Sequence, residues 1–114
     1  MLDQVALDRL RATMGAGFLD ELLATFIEDS LELVGTMRRA LTDKDTDSFR
    51  RAAHSLKSNA ASFGAMTLST LAKDLETLAR SGSLDGAASR VERLAGECER
   101  VTRALREVER EPRS

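Results

Sequence analysis

At 114 residues with a formal net charge of -2, the chain is long enough to bury one hydrophobic core and lacks the basic surplus of a nucleic-acid binder. Hydrophobic residues make up 42%, yet no stretch approaches the roughly 20 apolar residues of a membrane span, and the first residues lack the apolar core of a signal peptide. One cysteine cannot form an internal disulfide, which fits a cytoplasmic location. We therefore expect a single cytoplasmic domain over residues 1–114, without membrane insertion and with residues 111–114 frayed.

The pattern of apolar residues predicts an all-α chain with five helices. The first, Gln4–Thr13, begins after a candidate N-cap, Asp3, and ends before two helix-breaking glycines, Gly15 and Gly17. The second helix is long and runs from Phe18 to Leu41, with apolar residues at three- and four-residue spacing.

Three more helices follow the polar turn at residues 42–45. The third begins after Asp45, a candidate N-cap, and ends at Gly64, a residue type suited to a left-handed helix cap. Thr67 is a candidate cap for the fourth helix, which ends near Arg80, and the last helix covers Gly86–Val108. Four amphipathic helices with short loops favour an antiparallel up-down-up-down bundle, with the short first helix covering one end.

The single histidine, His54, lies on the third predicted helix. The apolar positions of that helix share one face: Phe49, Ala52, Ala53, Leu56, Ala60 and Phe63. His54 lies roughly 140° from the centre of this face and is predicted to point into solvent. Lys57 and Ser58 lie beside it one turn later, and Ala61 follows after two turns.

The residues around His54 resemble the motif of the histidine phosphotransfer (HPt) domain of multistep two-component phosphorelays. That motif reads roughly His-x-Leu-Lys-Gly-Ser/Ala, then a run of small residues that ends in Leu/Phe-Gly-Ala. His54, Leu56, Lys57 and residues 63–65 match it, and the order of helices matches over nearly the whole chain. The departure is Ser58, which replaces the usual glycine with another small residue.

The resemblance implies a phosphoryl carrier that exchanges phosphate with the aspartate of response-regulator receiver domains. His54 would carry the phosphoryl group on Nε2, and Lys57 would offset its negative charge. The resemblance implies no kinase or ATP-binding machinery and no cofactor or metal on this chain, with Mg²⁺ expected on the partner receiver. We expect a monomer, which a sensor histidine kinase could carry as one of its domains. The abrupt start before the first helix favours such an excised domain.

The same helix face would dock the partner. Ser58 and Ala61 are small and would allow a receiver to approach the imidazole. Arg50 and Arg51 flank this face and could steer an acidic receiver surface, although a solvated helix face explains them equally well.

Two other classes of function are compatible with a helical bundle. A protein–protein interaction module without phosphate chemistry would tolerate the loss of His54. A metal- or cofactor-binding bundle enzyme needs several inward-facing Glu and His ligands, whereas the only histidine here is predicted to face outwards.

Overall fold

The computed structural model describes residues 5, 8, 9, 12 and 16–110. Within these residues the secondary structure is helical, with no strand. The four long helices are α1 (Ala16–Asp43), α2 (Thr46–Ser62), α3 (Met66–Arg80) and α4 (Ala87–Arg110). Of the first predicted helix, Gln4–Thr13, only residues 5, 8, 9 and 12 are described, each in helical conformation, and its bounds lie outside the described residues.

Short connections make consecutive helices antiparallel. Residues 44–45, 63–65 and 81–86 join the four helices, and α4 packs back against α1, so that each helix contacts two neighbours. Arg38 of α1 and Glu92 of α4 join the first and last helices through two hydrogen bonds, from Nε to Oε2 at 3.0 Å and from an Nη atom to Oε1 at 2.8 Å. The predicted up-down-up-down four-helix bundle is confirmed.

Local signals fix both ends of α2. Asp45 is the N-cap, and its carboxylate accepts hydrogen bonds from the backbone N–H of Ser48 at 3.1 Å and from its hydroxyl at 2.7 Å. At the other end Gly64 has a positive φ of 71°, and the N–H of Ala65 donates to the carbonyl of Ala60 at 2.9 Å. This is the Schellman arrangement that glycine permits without strain. Both predicted caps of this helix are confirmed.

The start of α3 differs from the sequence-based expectation. The helix begins at Met66, and its N-cap is Ala65, which has no side-chain oxygen, so the prediction that Thr67 caps this helix is wrong. The carbonyl of Ala65 already accepts the first helical hydrogen bond, from the N–H of Ser69 at 3.0 Å. Because Ala65 closes α2 and opens α3 at once, Thr67 already lies inside the helix.

The core is built mainly from leucine, alanine, valine and phenylalanine side chains on the inner faces of all four helices. The rings of Phe26 and Phe63 lie 4.6 Å apart between centroids, which packs the turn after α2 against α1. Cys98 is buried in this core, and burial raises the pKa of its thiol. None of the described helices combines the length and apolarity needed to cross a bilayer.

Candidate functional site

His54 projects from the middle of α2 on the side away from the core. Its side chain is 53% exposed, whereas Leu56, two residues later, is fully buried. The predicted orientation of the helix is therefore confirmed. The imidazole is accessible from solvent, and its backbone is held by a packed helix.

A buried carboxylate from the neighbouring helix holds the imidazole. Glu76 of α3 is only 4% exposed, and its Oε2 lies 2.8 Å from Nδ1 of His54. The same carboxylate accepts a hydrogen bond from Nζ of Lys57 on Oε1 at 2.8 Å. A guanidinium nitrogen of Arg80, one turn further along α3, donates to Oε2 at 3.2 Å. One carboxylate thus contacts both His54 and Lys57 of α2, with a second cation, Arg80, alongside.

A further polar contact fixes the register between α2 and α3 at this place. The hydroxyl of Ser69, a buried residue, donates to the backbone carbonyl of Lys57 at 2.9 Å. Ser69 and Glu76 are two turns apart and lie on the same side of α3. These two side chains therefore hold α3 against the segment of α2 that carries His54 and Lys57.

The ionisation of Glu76 determines which nitrogen of His54 carries the proton. The hydrogen bond from Lys57, with a smaller contribution from His54, lowers the pKa of Glu76 from 4.5 to about 2, although burial opposes this shift. An ionised carboxylate only accepts hydrogen bonds, so Nδ1 must be the protonated nitrogen. In the neutral ring Nε2 then keeps its lone pair, and no residue of the described ranges forms a hydrogen bond to it. This is the arrangement of a poised nucleophile.

The lowered pKa of Glu76 predicts a defined loss of stability in acid. Its ionised form is favoured by folding, so the stabilisation is fully present above pH 4.5 and is lost as the pH falls through about 2. Denaturant unfolding of the wild type and of Glu76→Gln between pH 7 and pH 2 measures this. We expect the difference in the free energy of unfolding between the two proteins to shrink below pH 4.5. A difference that stays constant down to pH 2 would contradict the lowered pKa of Glu76.

The residues predicted to dock a partner lie on the solvent side of α2. Ser58 and Ala61 are exposed. Arg50 and Arg51 each form an ion pair with Asp47, at 2.9 Å and 3.0 Å, on the same helix. Their role in docking stays a prediction, because these contacts show only where the two guanidinium groups rest in the unbound chain.

Glu76 and Arg80 were not identified from the sequence. A signal for Glu76 is present, because a carboxylate stands at a position that continues the inner line of α3 through Ala72 and Ala79. A charge at such a buried position requires a partner, and a cation or histidine on an adjacent helix is the natural one. No sequence pattern specifies that this partner is His54.

The carboxylates of Glu76 and Asp47 both contact basic side chains. Glu76 contacts Lys57, Arg80 and the imidazole, while Asp47 contacts two arginines. Across the part of the chain that the structure describes, no three or more His, Cys, Asp or Glu side chains are arranged to hold a metal ion.

The fold and the site define a class of protein: a helical bundle that presents one oriented, solvent-facing imidazole beside a lysine. Comparison with known families agrees, because the sequence model described as "Hpt domain" matches residues 21–104. The chain therefore belongs to the Hpt domain family, and a histidine phosphotransfer role in phosphorelays follows from this membership. Hpt domains of two-component systems interact with kinases and response regulators. A search of curated protein sequences finds no match.

Solved structures lead to the same family. Histidine-containing phosphotransfer protein B (HptB) from Pseudomonas aeruginosa PAO1 is 31% identical, with a TM-score of 0.93 over 98% of this chain and 96% of that protein. ZmHP2, a histidine-containing phosphotransfer protein from maize, is 20% identical, with a TM-score of 0.77 over 90% of this chain and 82% of its own. The HPT domain of a sensor hybrid histidine kinase from Shewanella is 19% identical, with a TM-score of 0.74 over 92% and 89% of the two chains. These last two comparisons establish the shared fold alone.

Proposed function

We propose that the chain is a phosphorelay intermediate that accepts a phosphoryl group on Nε2 of His54 and donates it again, in exchange with the aspartate of response-regulator receiver domains. The observation that carries this proposal is the contact between Nδ1 of His54 and the buried, ionised Glu76, on a ring that is half exposed. The contact holds the proton on Nδ1 and leaves the lone pair on Nε2 of a half-exposed ring.

The transfer step follows from this geometry. The lone pair of Nε2 attacks phosphorus, an N–P bond forms, and the P–O bond to the receiver aspartate breaks, which leaves a free carboxylate on the receiver. The imidazole keeps its Nδ1 proton and becomes positively charged, and Glu76 stabilises that charge across 2.8 Å. The reverse step returns the phosphoryl group to an aspartate and restores the neutral ring. His54 thus acts as a reversible carrier.

Lys57 is proposed to offset the negative charge of the phosphoryl group. Its ammonium group lies on Glu76 in the unphosphorylated chain, one helical turn from His54, and its side chain is 29% exposed. A flexible lysine with this exposure has room to turn from the carboxylate towards a phosphoryl group on the same face. This role requires a change of partner when His54 is phosphorylated.

The receiver is proposed to supply the remaining machinery. This chain offers a nucleophile and nearby cations, and we propose a carrier without kinase activity of its own, with Mg²⁺ bound by the receiver. Ser58 and Ala61 would let a partner surface come close to Nε2, since both are small and exposed. Arg50 and Arg51 would leave Asp47 to meet an acidic receiver surface.

The test is transfer of radiolabelled phosphate from charged receiver domains to the wild type and to His54→Gln. We expect acid-labile, base-stable label on the wild type and none on the variant. The variant should keep its stability within about 1 kcal/mol, because the substituted side chain is exposed and Lys57 and Arg80 still bind Glu76. If none of several receivers transfers label to the wild type, and His54→Gln still binds its partner, the result would instead favour an interaction module without phosphate chemistry.

A further inference from the structure

Glu76 has two cationic partners, and they occupy different oxygens. Lys57 binds Oε1, whereas Arg80 binds Oε2, the oxygen that also receives the Nδ1 proton of His54. Lys57 comes from α2, the helix of the histidine, and Arg80 comes from α3, the helix of the carboxylate. Lys57 can therefore leave Glu76 without disturbing the contacts on Oε2.

The charges around Glu76 set a limit on what Lys57 can do. Glu76 is nearly buried, and leaving a buried carboxylate without a cation is costly. With Lys57 alone, a turn of its ammonium group towards an incoming phosphoryl group, before the ring gains its positive charge, would remove the only full positive charge from Glu76. With Arg80 present, one cation remains on the carboxylate, and the cluster keeps one positive charge in excess for the incoming phosphoryl group.

We propose that Arg80 is a positioning residue for phosphoryl transfer: it neutralises Glu76 on Oε2 and so releases Lys57 to bind the phosphoryl group on His54. The inference rests on the proposed function of His54. Arg80 acts through Glu76 and needs no contact with the phosphoryl group itself. Arg80 itself is 62% exposed and Lys57 still binds Glu76 without it, so the loss of Arg80 would otherwise have a small structural effect.

The experiment uses phosphoramidate, a small donor that phosphorylates imidazole without a protein partner. The lone pair of Nε2 forms the N–P bond, the P–N bond of the donor breaks, and ammonia leaves. Phosphorus NMR follows the rate of uptake by the wild type, Arg80→Gln, Arg80→Lys, Lys57→Gln and the double variant Lys57→Gln/Arg80→Gln. Arg103→Gln, which changes an exposed arginine on α4, is the matched control.

We expect uptake about threefold slower in Arg80→Gln, near-normal uptake in Arg80→Lys, and no change in Arg103→Gln. The double variant should be less impaired than the product of the two single effects, because Lys57 stays on Glu76 once Arg80 is lost. A purely structural role of Arg80 would give neither rescue by lysine nor coupling to Lys57.

Two results separate failure of this inference from failure of the proposed function. The role of Arg80 alone is overturned if the wild type takes up phosphate but Arg80→Gln takes it up at the same rate as Arg103→Gln. It is also overturned if the effects of the Arg80 and Lys57 substitutions on the uptake rate simply multiply in the double variant. Wild type that is phosphorylated neither by phosphoramidate nor by receivers overturns both proposals. Thermal unfolding of each variant shows whether it is folded. If Arg80→Gln is not folded, the uptake rate of Arg80→Lys still tests the role of Arg80.

Discussion

Glu76→Gln is expected to slow phosphoryl uptake by His54 about tenfold to a hundredfold. Three donors converge on the carboxylate of Glu76, from His54, Lys57 and Arg80. A glutamine offers one oxygen and one NH₂ group, so at least one of these donors must face another donor. If the NH₂ group faces Nδ1, the ring must place its proton on Nε2, and the nucleophilic lone pair is lost.

The matched control for this variant is Asp74→Asn, which makes the same change from carboxylate to amide at an exposed position of α3. Single-turnover transfer from a charged receiver measures both variants, and unfolding curves show that both are folded. Nitrogen NMR of the imidazole reports which ring nitrogen carries the proton in each. Equal transfer rates for the two variants would show that Glu76 does not orient His54 for reaction.

Leu56→Ala is expected to cost about 2–5 kcal/mol of folding stability. Leu56 is fully buried and packs on the core side of the helix that presents His54. Its truncation leaves a cavity, because the packed helices can move only partly into the space of the removed side chain. For a bundle of this size such a loss is a large part of the total stability, and urea unfolding measures it directly.

An exposed leucine provides the control. Leu31 of α1 is 53% exposed, and Leu31→Ala should change stability by no more than about 0.5 kcal/mol. The comparison holds the chemistry of the substitution constant and varies only burial. A near-neutral Leu56→Ala would mean that α2 is turned differently from the orientation that exposes His54.

Features encoded within one helix were predictable from the sequence. The apolar spacing on α2 placed Leu56 inside and His54 outside, because a helix of fixed period turns neighbouring residues to known sides. Asp45 and Gly64 marked the ends of α2, because caps depend on side chains and backbone angles only a few residues apart. Thr67 failed as a cap because the turn that closes α2 also starts α3, and a single position cannot reveal that overlap.

Contacts between helices were not predictable in the same way. Glu76 lies 22 residues from His54, and their contact depends on how far α3 is displaced along α2. The apolar stripes allow several such registers, whereas the hydrogen bond from Ser69 to the carbonyl of Lys57 selects one. Lys57 was predicted to face a phosphoryl group, and its present partner is a buried carboxylate instead. The prediction about the phosphoryl group therefore concerns a second state of the same side chain.

Nitrogen and phosphorus NMR of the phosphorylated chain tests the central claim most directly. The protein contains one histidine, so labelling histidine with ¹⁵N gives a single pair of ring nitrogens to follow. After transfer from a charged receiver, we expect coupling between phosphorus and Nε2 of His54, with the proton still on Nδ1. Absence of any nitrogen–phosphorus coupling, or coupling to Nδ1 in place of Nε2, would contradict the proposed carrier and the role of Glu76 in orienting it.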